Sequence, residues 1–587
     1  MKRHKTDILI LGSGGAGLFA ALHAKRAAPA LSVTVAVKGL LGKCGCTRMV
    51  QGGYNVALAP GDSVERHFMD TIEGGKWLPD QDLAWTLVTG ALERVHELEN
   101  ELGCFFDRNP DGTVHQKAFA GQTFDRTVHK GDLTGIEIMN RLSEQAWVSG
   151  VERLEEHRAI ELVKSADGEA IAGVAMIDMR SGEFVFVQAR SVLLATGGGP
   201  TMYRYHTPSG DKSCDGLAMA LRAGLRLRDM EMVQFHPTGL LAGLGTRMTG
   251  TVLEEGLRGA GGYLLDGARR RFMNDYDPRG ERATRDIVSR AIYAEMRAGR
   301  STPNGGAYLS MAHLGPENVR AQFKGMVDRC RDCGFDLAGG LVEVVPTAHY
   351  MMGGVEFRGD GATAIEGLFA AGEDTGGVHG ANRLGGNGVA NSTVFGAIAG
   401  DAMAAWTAPG KAWREPSAAA IEEAEARCRA PLLRPAGDIE AVRDALFEVM
   451  WDDVGIRRDA AGLERARLRL GELRAQLQGT GVAGADLRYN LTWHDWLNLD
   501  SLITVSEAIC AAASAREESR GAHFREDFPA TGDLARSAYT RVQMSPSPRG
   551  PSGAGSNAEG RGEGHFEVSF EPVRFTRVRP GESLVAA

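Results

Sequence analysis

The 587-residue chain contains no uninterrupted apolar run of the roughly 20 residues that a membrane-spanning helix requires. Direct membrane insertion is therefore not expected, and any attachment would come through another subunit. It also lacks a long basic run and carries a net charge of −9, which argues against nucleic acid as a partner. Cysteine is sparse, with eight residues scattered over the length. They have neither the clustered spacing of an iron–sulfur protein nor that of a disulfide scaffold, and they read as reduced thiols of a cytoplasmic protein. The one C-x-x-C pair, Cys330 and Cys333, has no second pair or His cluster to complete a metal cage, so no metal site is assigned. No internal repeat is visible.

What is present in excess is glycine, at 77 residues, the mark of many tight turns and close backbone approaches. A chain of this length exceeds one hydrophobic core and implies two to four domains. "TDILILGSGGAGLFAALHAKRA" reads as buried strand, glycine turn and helix, and "LSVTVAVKG" as a second buried strand. The basic residues ahead of the first apolar run resemble a secretory leader, but that run carries a nucleotide-binding fingerprint instead. "SVLLATGGG" (191–199) and "GLFAAGEDTGG" (367–377) are further apolar strands ending in glycine turns. One parallel sheet thus draws on early and late sequence, and the residues near 236–349 form an insertion. From about 415 to 530 apolar residues fall three and four apart, the helical period. The Ser/Pro/Gly-rich stretch 545–564 reads as a disordered linker, and "HFEVSFEPVRFTRV" after it as a terminal strand.

Gly12, Gly14 and Gly17 make G-x-G-x-x-G between a strand and a helix, the context in which glycines let a pyrophosphate approach a helix N-terminus. The second strand ends in Lys38 where an acidic residue often holds an NAD ribose, which weakens an NAD reading and leaves FAD open. Asp215, before a glycine at a helix start, is by itself a plain cap.

Five segments then follow in order: "MVQFHPTGL" (232–240), "EEGLRGAGG" (254–262), "TRDIVSRAI" (284–292), "PTAHYMMGGV" (346–355) and "GLFAAGEDTGGVHGANRLGGNG" (367–388). Together they strongly resemble the flavoprotein subunits of succinate dehydrogenase and fumarate reductase, a family that includes L-aspartate oxidase. The similarity reaches from the first strand to "AREESRGAHFREDFP" (515–529). It implies an α/β fold: a discontinuous Rossmann-like FAD-binding domain (1–235 and 350–410), an inserted α+β capping domain (236–349) and a C-terminal helical domain (415–530). A C-terminal segment with the Ser/Pro/Gly-rich loop (531–587) completes the chain. By resemblance FAD contacts Gly12, Ser13, Gly14, Ala16, Gly17, Lys38, Thr47, Gln51, Gly52, Gly53, Ala159, Thr196, Asp215, Glu373 and Arg383.

The chemistry implied is hydride transfer between flavin N5 and the carbon beside a carboxylate, with a proton moving on the other face. His349 and Arg383 resemble the pair that clamps one carboxylate, for which a guanidinium offers two parallel hydrogen bonds. His236 resembles the holder of the second carboxylate. Arg285 matches the general acid or base, fed by Glu255 and Arg258, and Phe119 matches an aromatic that packs on the substrate. The structural alternative for each, a core His or an Arg paired with a core carboxylate, is outweighed by the full motif set.

Two departures stand out. Glu254 replaces the family's Thr in the second motif. A carboxylate there is expected to repel a substrate carboxylate, which predicts a poor fit for succinate or fumarate and a better one for a neutral or cationic end. In "GKCGCTRMVQGG", Cys46 stands where the respiratory enzymes have a His bonded to the flavin. We read Cys46 as lining a noncovalent FAD site, ahead of a thioether to flavin and of a Cys44–Cys46 metal pair. In the family the covalent bond favours succinate oxidation, so a noncovalent flavin points toward reduction. The expected partners are a small carboxylate substrate and an iron–sulfur subunit, which would hold the protein at the inner face of the membrane. The alternatives are an aspartate-oxidase-like enzyme acting on an amino-dicarboxylate and a non-catalytic electron-relay subunit.

Overall fold

The computed structural model describes residues 1–243, 246, 248–408, 410–484, 486–545 and 566–585. The linker expected at 545–564 lies outside them apart from Ser545. Strand Lys2–Leu11 is central: it pairs in parallel with Val33–Val37 on one side and with Glu183–Leu194 on the other. Ile8, Leu9 and Ile10 are fully buried, as a parallel strand covered on both faces requires. The late strand Leu368–Ala370 joins in parallel, with Leu368 opposite Val192, so one sheet unites segments far apart in the chain. Glu152–Glu155 extends it beyond Val33–Val37, and the antiparallel strands Ile171–Asp178 and His157–Lys164 extend the other side.

Helix Gly15–Ala27 leaves the first strand and crosses the late helix Asn387–Thr407 at very close range. A Cβ on Gly396 would stand 2.6 Å from the Ala16 carbonyl oxygen, and one on Gly400 would stand 2.4 Å from that of Ala20. Only glycine permits this approach. The intervening residues contribute an antiparallel sheet in the order Val233–Leu240, Val342–Met351, Ala307–Ser310, Tyr263–Leu265, backed by helix Arg285–Arg297. Leu240, Leu264, Ile292, Leu309 and Val344 belong to a core of its own.

Four helices follow: Ala418–Arg429, Ile439–Asp452, Ala460–Gly479 and Leu491–Ala515. Each begins at a cap, Ser417, Asp438, Asp459 and Asn490 respectively, whose side chain accepts a hydrogen bond from a backbone N–H of the first turn and so satisfies an otherwise orphaned donor. The last of them lies against helix Asp215–Arg222. The C-terminal strand Phe566–Pro572 pairs with Ala538–Met544, which in turn pairs with Leu227–Arg228. Among the described residues no helix is long and apolar enough to cross a membrane.

Candidate functional site

A long cavity of about 1290 Å³, open solvent included, runs from the first glycine turn to the inserted sheet, and a second of about 580 Å³ continues it past Gly14 and Thr196. The three motif glycines have three distinct roles. Gly12 has φ +108°, and a Cβ there would come within 2.1 Å of the Ala195 carbonyl oxygen, while one on Gly17 would come within 2.0 Å of the Gly12 carbonyl oxygen. Gly17 therefore packs the helix onto the turn and lines neither cavity. Gly14 is the open one: its Cβ would meet nothing nearer than Thr47 Oγ1 at 3.6 Å, which leaves room for a phosphate.

The narrower cavity is lined by Gly12, Ser13, Lys38, Ala159, Thr196 and Asp215. Lys38 Nζ lies 2.6 Å from Asp215 Oδ2 and donates to Ser213 Oγ at 3.0 Å. Arg158 donates to Asp215 Oδ1 at 2.8 Å, to Asn498 Oδ1 at 2.7 Å and to the His494 carbonyl at 2.9 Å. Burial opposes the Asp215 charge, but Arg158 and Lys38 outweigh it and hold the carboxyl well below its ordinary value. The wider cavity receives Ala16, Cys46, Thr47, Gln51, Gly52, Gly53, Glu373 and Arg383. The open Gly14 turn and the polar, buried far end fit an FAD along this groove.

At the other end the inserted sheet sets His236 and His349 on neighbouring antiparallel strands, their ring centres 5.3 Å apart. The Thr238 N–H donates to His236 Nδ1 at 3.3 Å, which places the imidazole proton on Nε2. His349 Nδ1 lies 2.8 Å from Thr207 Oγ1. Arg285, first residue of its helix, donates to Glu255 Oε2 through Nε at 3.0 Å and Nη2 at 2.6 Å, and to Gln234 Oε1 at 3.0 Å. Arg258 donates to the other Glu255 oxygen at 3.1 Å and to the Glu281 carbonyl at 2.7 Å. It is fully buried behind Glu255 and does not line the cavity. Burial would raise the Glu255 carboxyl, yet Arg285 and Arg258 hold it below the ordinary carboxylate value.

Arg383 differs from these. Its Nη1 donates only to its neighbour's carbonyl, Leu384 O, at 3.3 Å, and its buried Nε has no partner among the described residues. The guanidinium carbon sits 4.4 Å from the Tyr350 ring centre. Burial, with Arg285 nearby, lowers it to about 10, so it remains a cation at neutral pH. Burial, reinforced by Arg285, holds both His236 and His349 well below the ordinary imidazole value, so both are neutral. Gly385 completes the cluster: a Cβ there would stand 2.4 Å from Glu255 Oε2, 2.6 Å from Phe119 Cδ2 and 3.0 Å from Arg285 Nη2. The cluster thus gathers buried guanidinium groups and neutral imidazoles at one wall of the cavity, a donor set suited to a carboxylate.

The sequence profile described as an FAD binding domain matches residues 7–389, and that described as the fumarate reductase flavoprotein C-terminus matches 443–583. A CoM/CoB fumarate reductase subunit of Methanothermobacter marburgensis is 41% identical over 92% of this chain and 98% of its own. The chain belongs to the succinate dehydrogenase and fumarate reductase flavoprotein family. The 8-methylmenaquinol:fumarate reductase flavoprotein subunit of Wolinella succinogenes is 34% identical over 92% of this chain and 88% of its own. Among solved structures, FrdA of E. coli quinol fumarate reductase superposes with TM-score 0.90 at 32% identity, over 99% of both chains.

Both departures from the family pattern take on a new meaning here. Glu254 does line the cavity, but its Oε2 lies 3.0 Å from Lys117 Nζ. The unopposed negative charge expected from the sequence is therefore neutralised, because the strand Gln116–Lys117 brings a cation from 137 residues away. Cys46 also lines the cavity, and burial with Glu373 nearby pushes its thiol up to about 12. Lys117, Gln234, Thr207 and Tyr350 carried no signal of their own in the sequence. Lys117 stands two residues before Phe119. Gln234, which also donates to the Arg383 carbonyl at 2.7 Å, precedes His236 by two. Neither spacing announces a partner so distant in sequence.

Proposed function

We propose that this flavoprotein reduces fumarate, or a closely similar unsaturated dicarboxylate, with electrons from a separate iron–sulfur subunit. The observation that carries this reading is Arg383, which has no carboxylate partner among the described residues and lies beside Arg285 and two neutral imidazoles. FAD bound in the groove supplies the hydride donor. Arg383 and His349 hold the carboxylate nearest it, the guanidinium through its free donors. His236 donates Nε2–H to the second carboxylate. Arg285 then gives a proton to the carbon opposite the hydride, and Glu255 with Arg258 returns one from solvent. Phe119, whose ring a Cβ on Gly52 would strike at 2.4 Å, closes the pocket against water.

Cys46 in this reading stays a thiol. Only a thiolate is a good nucleophile, and a thiol pushed to about 12 is protonated at neutral pH, which supports a noncovalent flavin. The domain limits are 1–235 with 350–410 for FAD, 236–349 for the cap, 415–530 for the helices and 531–587 for the C-terminal segment. Attachment to the inner face of a membrane is through partner subunits. An amino-dicarboxylate substrate is disfavoured because Lys117 already engages the Glu254 carboxylate that an ammonium would use.

Anaerobic oxidation of a reduced viologen by the purified holoprotein, dependent on added fumarate, tests the reading. Peroxide formed from an amino-dicarboxylate, without fumarate-dependent dye oxidation, would sink it. Acid precipitation separates the two flavin states: yellow colour in the supernatant is expected, and colour in the pellet contradicts the noncovalent assignment.

A further inference from the structure

The Glu254 side chain is 5% exposed and forms part of the cavity wall, next to Glu255 of the proton-transfer cluster. Its ion-pair partner among the described residues is Lys117. The other buried guanidinium groups at this end are engaged elsewhere, Arg285 and Arg258 by Glu255, while Arg383 pairs with no carboxylate among the described residues. Lys117 is not free to sweep through the cavity. Its backbone is fixed opposite Thr127 in a three-stranded sheet, its ammonium lies 3.4 Å from the Gly131 carbonyl oxygen, and it sits 5.9 Å from the Phe119 ring centre. The ammonium stands beside Glu254 and does not itself line the cavity.

We propose that Lys117 is a specificity-determining residue that acts through Glu254: by cancelling the glutamate's charge it admits the distal carboxylate of a dicarboxylate. Lys117 does not touch the substrate. Without it, Glu254 faces the cavity as a bare carboxylate, and the pocket turns against dianions while treating a half-ester as before. The pair thus does with two residues at a distance what a neutral hydroxyl side chain would do with one.

This inference rests on the dicarboxylate reading above. The test is titration of the holoprotein with fumarate and with monomethyl fumarate, followed by the flavin difference spectrum. Lys117→Met is expected to weaken fumarate about tenfold or more and the half-ester by about twofold at most. Lys117→Met/Glu254→Gln should bring fumarate back to within about threefold of the natural protein, because removing both charges restores neutrality. Glu254→Gln alone should bind fumarate as well or more tightly. Equal weakening of both ligands by Lys117→Met overturns the proposal, as does a double variant no better than Lys117→Met. If Lys117→Met fails to load FAD, Glu254→Gln decides, since weaker fumarate binding there is equally fatal. A natural protein that responds to neither ligand sinks the dicarboxylate reading itself, whereas equal weakening with a normal natural titration sinks only the role of Lys117.

Discussion

The two ends of the cavity are both rich in buried cations, yet those cations hold different things. At the nucleotide end Lys38 and Arg158 converge on Asp215, and their remaining donors reach Ser213, Asn498 and a helix carbonyl. At the substrate end Arg285 and Arg258 share Glu255, while the buried Nε of Arg383 has no hydrogen-bond partner among the described residues. A saturated cluster ties elements together; an unsaturated one is a place for an anion. The count of acceptors, more than the burial, separates structure from recognition.

The largest expected effect comes from the unsaturated end. Arg383→Met should lower kcat/KM for fumarate about 1000-fold, as loss of a bidentate charged grip does, without lowering the thermal midpoint. Among the described residues Arg383 pairs with no carboxylate, and burial and the nearby Arg285 both oppose its charge. A midpoint several degrees lower would mean that Arg383 is a structural cation after all. The saturated end should answer the other way. Asp215→Asn leaves Lys38 and Arg158 without their shared carboxylate and should cost about 3 kcal/mol of stability in denaturant titration, with FAD retention falling alongside. An unchanged midpoint would remove the contrast between the two ends.

How much of this was legible in sequence follows from the range of the forces involved. The glycine turn and its flanking strand and helix are local, and Gly12, Gly14 and Gly17 declare them within six positions. The capped helices between Ala418 and Ala515 are local too, set by apolar period and by Ser417, Asp438, Asp459 and Asn490. The motifs carrying His236, Arg285, His349 and Arg383 pointed to one pocket through resemblance. What could not be read is which charges meet. Glu254 looked repulsive because Lys117 is far away in the chain, and the G-x-G-x-x-G motif does not by itself separate the packing role of Gly17 from the open turn at Gly14. Asp374 gave no signal, yet its buried carboxylate accepts from Thr196 Oγ1 and the Gly197 N–H and so shapes the turn between the two cavities.

A smaller effect should come from Gly385→Ala, which puts a methyl against Glu255, Phe119 and Arg285. Contacts of 2.4 Å to the Glu255 carboxylate and 2.6 Å to the Phe119 ring are shorter than side chains adopt, so both groups must shift, and kcat should fall roughly tenfold with FAD content unchanged. Unaltered kcat would show that the cluster tolerates the displacement. The smallest is a null in pH. His236 and His349 are held well below the ordinary value of about 6.5, so neither changes charge as pH rises from about 6 to 8. The kcat/KM profile should show no inflection there, since it reports groups of the free enzyme. A step near 6.5 would mean that one imidazole titrates exposed to solvent.

The most direct test of the central claim, that this cluster delivers a proton as hydride leaves the flavin, is a single turnover. The holoprotein is reduced anaerobically, mixed with fumarate, and followed by its visible flavin absorbance. The natural protein is predicted to reoxidise with succinate formed in equal amount, and Arg285→Ala to remain reduced while still binding fumarate. Equal reoxidation of both proteins, or none in the natural protein, would contradict the proton-delivery role.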